Sequence, residues 1–117
     1  MLRELSADGL AEEAKTQVSS TQTQTSRRTL LLEMGRAHMK AYDVRATHAR
    51  TLVFSVLYEC GRALVVEEVS GQLVLLGEGI GRTTVYRTLV EFEKAGIVRS
   101  RWIYGRSGRR MAFYLCV

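Results

Sequence analysis

The chain has 117 residues, a formal net charge of +5 and a hydrophobic content of 46%. A chain of this length forms one domain around one core, and its composition is ordinary for a soluble globular protein. No apolar run approaches the roughly 18 residues of a membrane span, and the polar N-terminus has no signal-peptide core. We therefore expect a cytoplasmic protein with no membrane partner. The cysteines, Cys60 and Cys116, lack the spacing of a zinc site or a disulfide framework.

The positive charge is unevenly distributed along the chain. Residues 94–117 contain six basic residues and no acid, whereas residues 1–26 contain four acids and two basic residues. A basic balance favours a polyanionic partner, such as nucleic acid or an anionic membrane surface. The last quarter of the chain is therefore the first candidate for a polyanion-binding surface.

The first predicted elements are a polar segment and a helix. Residues 1–28 are predicted to be flexible, because the stretch TQVSSTQTQTS has one apolar residue and cannot offset the entropy of ordering. A helix is predicted over residues 29–42, where good helix formers predominate. Its expected buried stripe has helical spacing and consists of Leu30, Met34, Ala37 and Ala41.

Two helices are predicted in the middle of the chain. Thr47 is the expected N-cap of the first of these, which ends at Gly61. The second is expected over residues 66–76, with Glu67 and Glu68 in its first turn, where the helix dipole favours acids. The face that it is expected to bury consists of Val66, Val69, Leu73 and Leu76.

The last predicted elements are a helix and a hairpin. Gly81 is the expected N-cap of a helix over residues 82–94. Its expected buried stripe consists of Val85, Leu89 and Phe92. Two β-favouring runs, IVRSRWIY and MAFYLCV, flank the glycine-bearing loop GRSGRR and predict a hairpin. The predicted fold class is α+β, mainly α: a winged helix-turn-helix over residues 29–117, with an extra N-terminal helix and a C-terminal two-stranded wing.

The first two turns of the fourth helix carry polar side chains away from its apolar stripe. These side chains are Arg82, Thr83, Thr84, Tyr86 and Arg87. In a helix-turn-helix, this end of the recognition helix reaches base edges in the major groove. Arginine offers a planar fork for guanine or phosphate, and threonine and tyrosine offer hydroxyl groups and contact with thymine methyl groups. On the helix alone, a solvated polar face is an equal alternative.

The hairpin supplies a second basic surface. Arg99 and Arg101 share one strand face, and no acid lies among the arginines of the hairpin, which favours a polyanionic partner. The loop adds Arg106, Arg109 and Arg110. Three to five phosphate contacts would give a salt slope of roughly −3 to −5. Trp102 and Tyr104 alternate with the strand arginines, and we expect them to be core anchors on the inner face of the wing, with base stacking as the alternative.

The run GEGIGRTTVYRTLVEFEKAGIV, at residues 77–98, strongly resembles the ferric uptake regulator family. That family carries a turn, an (A/T)TVYR-x-L recognition helix and a (D/E)-x-AG-(I/L)-V sequence leading into the wing. The match has no gap and extends back to THAR at residues 47–50, which takes the place of the family's T-x-x-R. The resemblance implies a bacterial transcriptional regulator that binds double-stranded DNA in a sequence-specific manner.

The resemblance also implies roles for individual residues. Tyr86 would contact bases, and Arg87 would contact phosphate or a base. Arg50 would contact phosphate, and Arg45 stands where the family often has a basic residue that reaches the minor groove.

The chain departs from the family pattern at the positions of the metal ligands. The family's sensing histidine falls at Ala63, and the metal-binding glutamate of the last wing strand falls at Tyr114. The sequence also ends at Val117, where the family's metal-sensing and dimerisation domain would begin. We therefore expect a metal-independent relative that lacks this domain and uses no cofactor.

A homodimer is expected, because specific affinity usually comes from two half-sites and one winged helix makes few contacts. The candidate contacts are the Leu30–Leu32 region of the N-terminal helix, and Val74 with Leu75. Leu75 falls at a position that the family usually makes polar. The alternative is that Leu75 packs against the N-terminal helix of its own chain.

The two alternative functions are a protein-interaction adaptor and an enzyme. A winged helix can serve as a protein-interaction adaptor without specific DNA binding, although an adaptor does not need five unpaired arginines. Enzyme activity has no support, because the sequence has no nucleophile–base arrangement, no phosphate-cradling glycine motif and no paired carboxylates at a plausible site. We expect a DNA-binding protein that is not an enzyme.

Overall fold

The computed structural model describes residues 26–106 and 108–116. The chain divides into two compact units, Met1–Leu31 and Leu32–Val117. The described residues of the first unit are helical. Most of the predicted flexible segment, residues 1–28, lies outside the described residues.

The second unit has the order of elements that the sequence predicts. Its helices are α1 (residues 26–41, of which 32–41 belong to this unit), α2 (His48–Cys60), α3 (Val66–Leu75) and α4 (Arg82–Ala95), and its strands are β1 (Leu64–Val65), β2 (Val98–Gly105) and β3 (Gly108–Leu115). The strands form one antiparallel sheet in the order β1-β3-β2. This arrangement confirms the predicted winged helix-turn-helix. The strand β1 was not predicted, because two residues are too few to show an alternating pattern.

The helix α2 lies at the centre of the core. Its residues from Thr51 to Leu57 are all buried, so this helix is surrounded by the rest of the unit. The Thr47 hydroxyl accepts a hydrogen bond from the Arg50 N–H at 3.2 Å. Gly61 follows the helix with a left-handed φ of 61°, which favours glycine. Both predicted ends of this helix are confirmed.

No helix within the described residues is long and apolar enough to cross a membrane.

The predicted buried stripe of α1 is wrong. Gly35 and Met39 are buried, whereas Ala37 and Ala41 are exposed. The reason is that α1 packs on α2 through its smallest residue: a Cβ at Gly35 would lie 3.1 Å from a ring carbon of Phe54. Close approach at the glycine buries the side chain one turn later, Met39, and turns the alanines, which have little apolar area to bury, towards solvent.

The helices α3 and α4 complete the core. The predicted stripe of α4 is confirmed, because its three residues are fully buried: Val85, Leu89 and Phe92. In α3, Val69 and Leu73 are buried as predicted. Leu76 was predicted to join them but is half exposed, because α3 ends at Leu75 and Leu76 leaves the helical conformation. The α3–α4 turn and the hairpin then fix where the start of α4 and the wing lie.

Candidate nucleic-acid interface

The start of α4 presents the five polar side chains that the sequence singled out. All five are exposed: Arg82, Thr83, Thr84, Tyr86 and Arg87. They are held outwards because the opposite side of the helix is anchored by its fully buried stripe. Among residues 26–106 and 108–116, neither Arg82 nor Arg87 has an acid within ion-pair distance. Both guanidinium groups therefore keep their donors available for a partner.

The N-terminus of α4 is also open. Its N-cap is Gly81, which has no side chain to accept a hydrogen bond from the N–H groups of the first turn. The Gly81 carbonyl accepts the first hydrogen bond of the helix, from the Val85 N–H at 3.1 Å. Uncapped N–H groups at the positive end of the helix dipole are suited to an anion such as phosphate.

The segment before α2 holds two more of the predicted residues. One terminal nitrogen of Arg50, Nη1, donates a hydrogen bond to the Arg45 carbonyl oxygen at 2.8 Å. This bond ties the Arg45 backbone to the first turn of α2. Arg45 is exposed, and Arg50 is half-buried with its remaining donors uncommitted.

A contact between two elements relates this pair of arginines to α4. The imidazole Nε2 of His48, at the start of α2, lies 3.3 Å from the Glu78 Oε2, in the turn before α4. Glu78 precedes Arg82 by four residues. The beginning of α2 and the beginning of α4 therefore lie on the same side of the unit. The sequence alone gave no sign of this contact, because the two residues are 30 positions apart.

The aromatic side chains of the wing are more exposed than predicted. Trp102 is 47% exposed and Tyr104 is 80% exposed, so the expectation that both are core anchors is wrong. Both lie in the half of β2 nearer the turn, where they pair with Met111 and Arg109 of β3. Trp102 instead supports an arginine: the Arg109 guanidinium lies over its indole ring at 3.9 Å from the ring centroid. This stacking holds the guanidinium plane in one orientation.

The wing arginines are also less free than their sequence suggests. Arg110 donates a hydrogen bond through Nη2 to the Glu67 Oε2 at 2.7 Å. The acid comes from the first turn of α3, so the absence of acids within the hairpin did not reveal it. Of the other loop residues, Arg106 is exposed at the turn. The five arginines are therefore not all unpaired, and the expectation that they are is wrong.

The carboxylate of Glu67 is stabilised in its charged form. Its own backbone N–H and the hydrogen bond from Arg110 hold the pKa of Glu67 below its ordinary value. The positive charge of Arg82 acts in the same direction. Glu67 therefore forms a charged pair with Arg110 that joins the first turn of α3 to the wing.

The neighbouring Glu68 has a structural role instead. Its Oε1 accepts a hydrogen bond from the Val65 N–H at 3.1 Å, and its Oε2 lies 3.0 Å from the Arg62 guanidinium. Partial burial acts to raise the pKa of Glu68, but the Val65 N–H and Arg62 outweigh it and hold the pKa below its ordinary value. Glu68 therefore caps α3.

The two positions that depart from the family's metal site lie together. Ala63 and Tyr114 line one pocket of about 350 Å³, together with Arg62 and Arg101. The Arg101 guanidinium lies over the Tyr114 ring at 5.7 Å from the centroid. Within the described residues, no group of three or more His, Cys, Asp or Glu side chains is placed to hold a metal ion. The pocket presents cationic and phenolic groups.

The candidate surface combines residues from three parts of the chain: the start of α4, the Arg45–Arg50 segment and the wing. The His48–Glu78 contact joins the start of α2 to the turn before α4, and the Glu67–Arg110 contact joins α3 to the wing. The residues that sequence reasoning missed are the partners: His48, Glu78, Glu67 and Trp102. Each of these residues contacts a residue of another element or strand, and no local sequence motif marks such a contact.

The chain is similar to known regulators. The model of the ferric uptake regulator family matches residues 41–113. The ferric uptake regulator of Vibrio cholerae is 33% identical, with a TM-score of 0.61, and the match covers 70% of this chain and 61% of that one. For the manganese-containing structure of the Pseudomonas aeruginosa regulator, the values are 26% identity, a TM-score of 0.64, and 71% and 60% coverage. A comparison with curated proteins gave no match.

These matches cover the elements that form the surface. The chain spans about three fifths of the length of the two solved relatives. The family match includes α2, α3 and α4 and all but the end of the wing, and it contains all of the predicted DNA-binding residues. The family consists of transcriptional regulators, which confirms the expectation that the chain is not an enzyme. Because the family model matches more than half of its length, the chain belongs to the ferric uptake regulator family.

Proposed function

We propose that this chain binds double-stranded DNA in a sequence-specific manner and regulates transcription. The observation that carries the proposal is the start of α4, where Arg82, Tyr86 and Arg87 are exposed and neither arginine has an acidic partner among the described residues. The α4 side chains would contact base edges in the major groove. Arg45 and Arg50 would contact the minor groove and phosphate on one flank, and the wing would contact phosphate on the other.

The salt dependence of binding to a fluorescent random duplex tests the first part of this proposal. Counterion release predicts a linear fall of log affinity with log salt, with a slope of roughly −3 to −5 if three to five phosphates are contacted. Lys94→Ala is a matched control for the loss of a charge at the start of α4, because it removes one positive charge from the far end of the same helix. Binding without salt dependence, or none at all, would instead favour a protein-interaction adaptor.

We also propose that binding is independent of metal. The support is the pocket formed by Ala63 and Tyr114, where an alanine offers no ligand and the Arg101 cation lies over the tyrosine ring. The affinity for DNA should be the same, within about twofold, with a chelator or with added manganese or zinc. A loss of binding on chelation that added metal restores would contradict this proposal.

A homodimer through Val74 and Leu75 completes the proposal. These residues are 66% and 79% exposed, and with Leu76 they form three consecutive exposed apolar side chains at the end of α3. The exposure of Leu75 argues against the alternative that it packs within its own chain. Sedimentation at tens of micromolar without DNA should give a dimer, and Leu75→Asp should give a monomer. A wild-type monomer under these conditions would contradict the proposed contact.

A further inference from the structure

The ion pair between α3 and the wing lies within the proposed DNA-binding surface. The Arg110 Nη2 and the Glu67 Oε2 are 2.7 Å apart, and both side chains are close to half exposed, at 42% and 46%. A guanidinium group binds a carboxylate and a phosphate with the same geometry. Glu67 therefore engages one guanidinium nitrogen of Arg110, a donor that could otherwise bind a phosphate.

We propose that Glu67 is an internal competitor for phosphate, which holds Arg110 in an ion pair and so limits the affinity of the protein for duplex DNA of any sequence. The proposal rests on the proposed function of DNA binding. It adds that an acid on the binding surface opposes binding, whereas the arginines around it favour binding.

The geometry gives Glu67 two ways to oppose binding. It neutralises Arg110 directly, so a phosphate must displace a carboxylate rather than water. Its negative charge also lowers the positive potential around Arg110 and, since Arg82 is among the charges that lower the pKa of Glu67, around the start of α4, where the proposed DNA contact lies. Since the pair is open to solvent, it can exchange with a phosphate. Glu67 should therefore weaken binding without preventing it.

The test compares the wild-type 117-residue chain with E67Q in binding to a random-sequence duplex, measured by fluorescence anisotropy at several salt concentrations. E91Q is the matched control: it removes an equal charge from an exposed residue of α4 that lies 4.0 Å from Lys94. E67Q should bind roughly 3- to 10-fold tighter than wild type at low salt, with a slope steeper by about 1, because one more phosphate contact forms. E91Q should change the affinity by less than about twofold, because Glu91 lies nine residues after Arg82 in α4, about 13 Å along the helix and beyond the Debye length of about 8 Å at physiological ionic strength.

A second set of variants tests the role of Arg110. In an R110Q background, E67Q should give little of its gain in affinity. R110Q alone should flatten the slope less than R109Q does, because Arg110 is already neutralised. This comparison does not depend on replacing Glu67.

The outcomes separate this inference from the proposed function. Equal affinities of wild type and E67Q would overturn the role of Glu67 alone, and so would weaker binding by E67Q, which would mean that the carboxylate positions Arg110 for DNA. A full gain from E67Q in the R110Q background would also overturn it. No salt-dependent binding by any of these proteins would overturn the proposed function, and with it this inference.

Discussion

The start of α4 and the wing both present arginines, but they hold them differently. At the start of α4, Arg82 and Arg87 have no acidic partner among the described residues. In the wing, Arg109 is stacked on Trp102 and Arg110 is paired with Glu67. By composition the wing is the more strongly basic of the two regions. In the structure, however, its arginine side chains are the ones held by contacts within the chain.

This difference indicates different tasks. Donors without an intramolecular partner break no contact within the protein when they bond to a base edge, so they suit direct recognition of sequence. An arginine already held by a ring or a carboxylate has a restricted orientation, which suits contact with the sequence-independent phosphate backbone. We therefore expect variants at the two regions to differ in kind: α4 should determine which sequence is bound, and the wing should determine how strongly any duplex is bound.

The largest expected effect is at α4. Tyr86→Ala or Arg87→Ala should each cost roughly 1–3 kcal/mol of binding to a preferred duplex, because base contacts are lost. Both side chains are exposed, so the circular dichroism spectrum and the unfolding midpoint should be unchanged. Affinities for preferred and random duplexes measure the effect, with Lys94→Ala as the charge-matched control for Arg87. Loss of affinity for both duplexes to the same extent would contradict a role in recognition.

An intermediate effect is expected for the wing arginines. Replacing Arg106 and Arg109 together by Ala should flatten the salt slope by about 2 for every duplex, since two phosphate contacts are lost. Adding Arg110→Ala should flatten the slope further by less than about 1, because Glu67 already neutralises this side chain. The slope of log affinity against log salt is the measurement. An unchanged slope in the triple variant would show that the wing does not contact phosphate.

The smallest expected effect is at the aromatic support of the wing. Trp102→Ala should cost about 0.5–1 kcal/mol of affinity for all duplexes, because Arg109 loses the ring that orients it. Tyr104→Ala is the control, since Tyr104 is 80% exposed and no arginine within the described chain lies over its ring. A comparable loss from both variants would indicate that the two rings contact the DNA themselves rather than orient Arg109.

Sequence reasoning succeeded where a single element determines the outcome. The buried stripe of α4 follows from the spacing of Val85, Leu89 and Phe92, and nothing elsewhere in the chain overrides it. The ends of α2 follow from Thr47 and Gly61, whose preferences for helix ends are local. The five exposed side chains of α4 were identified correctly for the same reason.

The predictions from sequence were wrong where contact with a second element determines which residues are buried or paired. The stripe of α1 was misplaced because the ring of Phe54 fits against Gly35, and a glycine contributes nothing to an apolar pattern. The pairing of Glu67 with Arg110 joins residues 43 positions apart, so neither local spacing nor charge runs could reveal it. In both cases the missing information was the position of a second element in space.

The central claim is that the start of α4 selects a DNA sequence. It is tested most directly by selecting bound duplexes from a random pool with the wild type and with Tyr86→Ala in parallel. The wild type should enrich a defined motif, arranged as a palindrome if the protein binds as a dimer, and the variant should enrich it weakly or not at all. A wild type that enriches no motif, or a variant that enriches the same motif equally well, would contradict the claim.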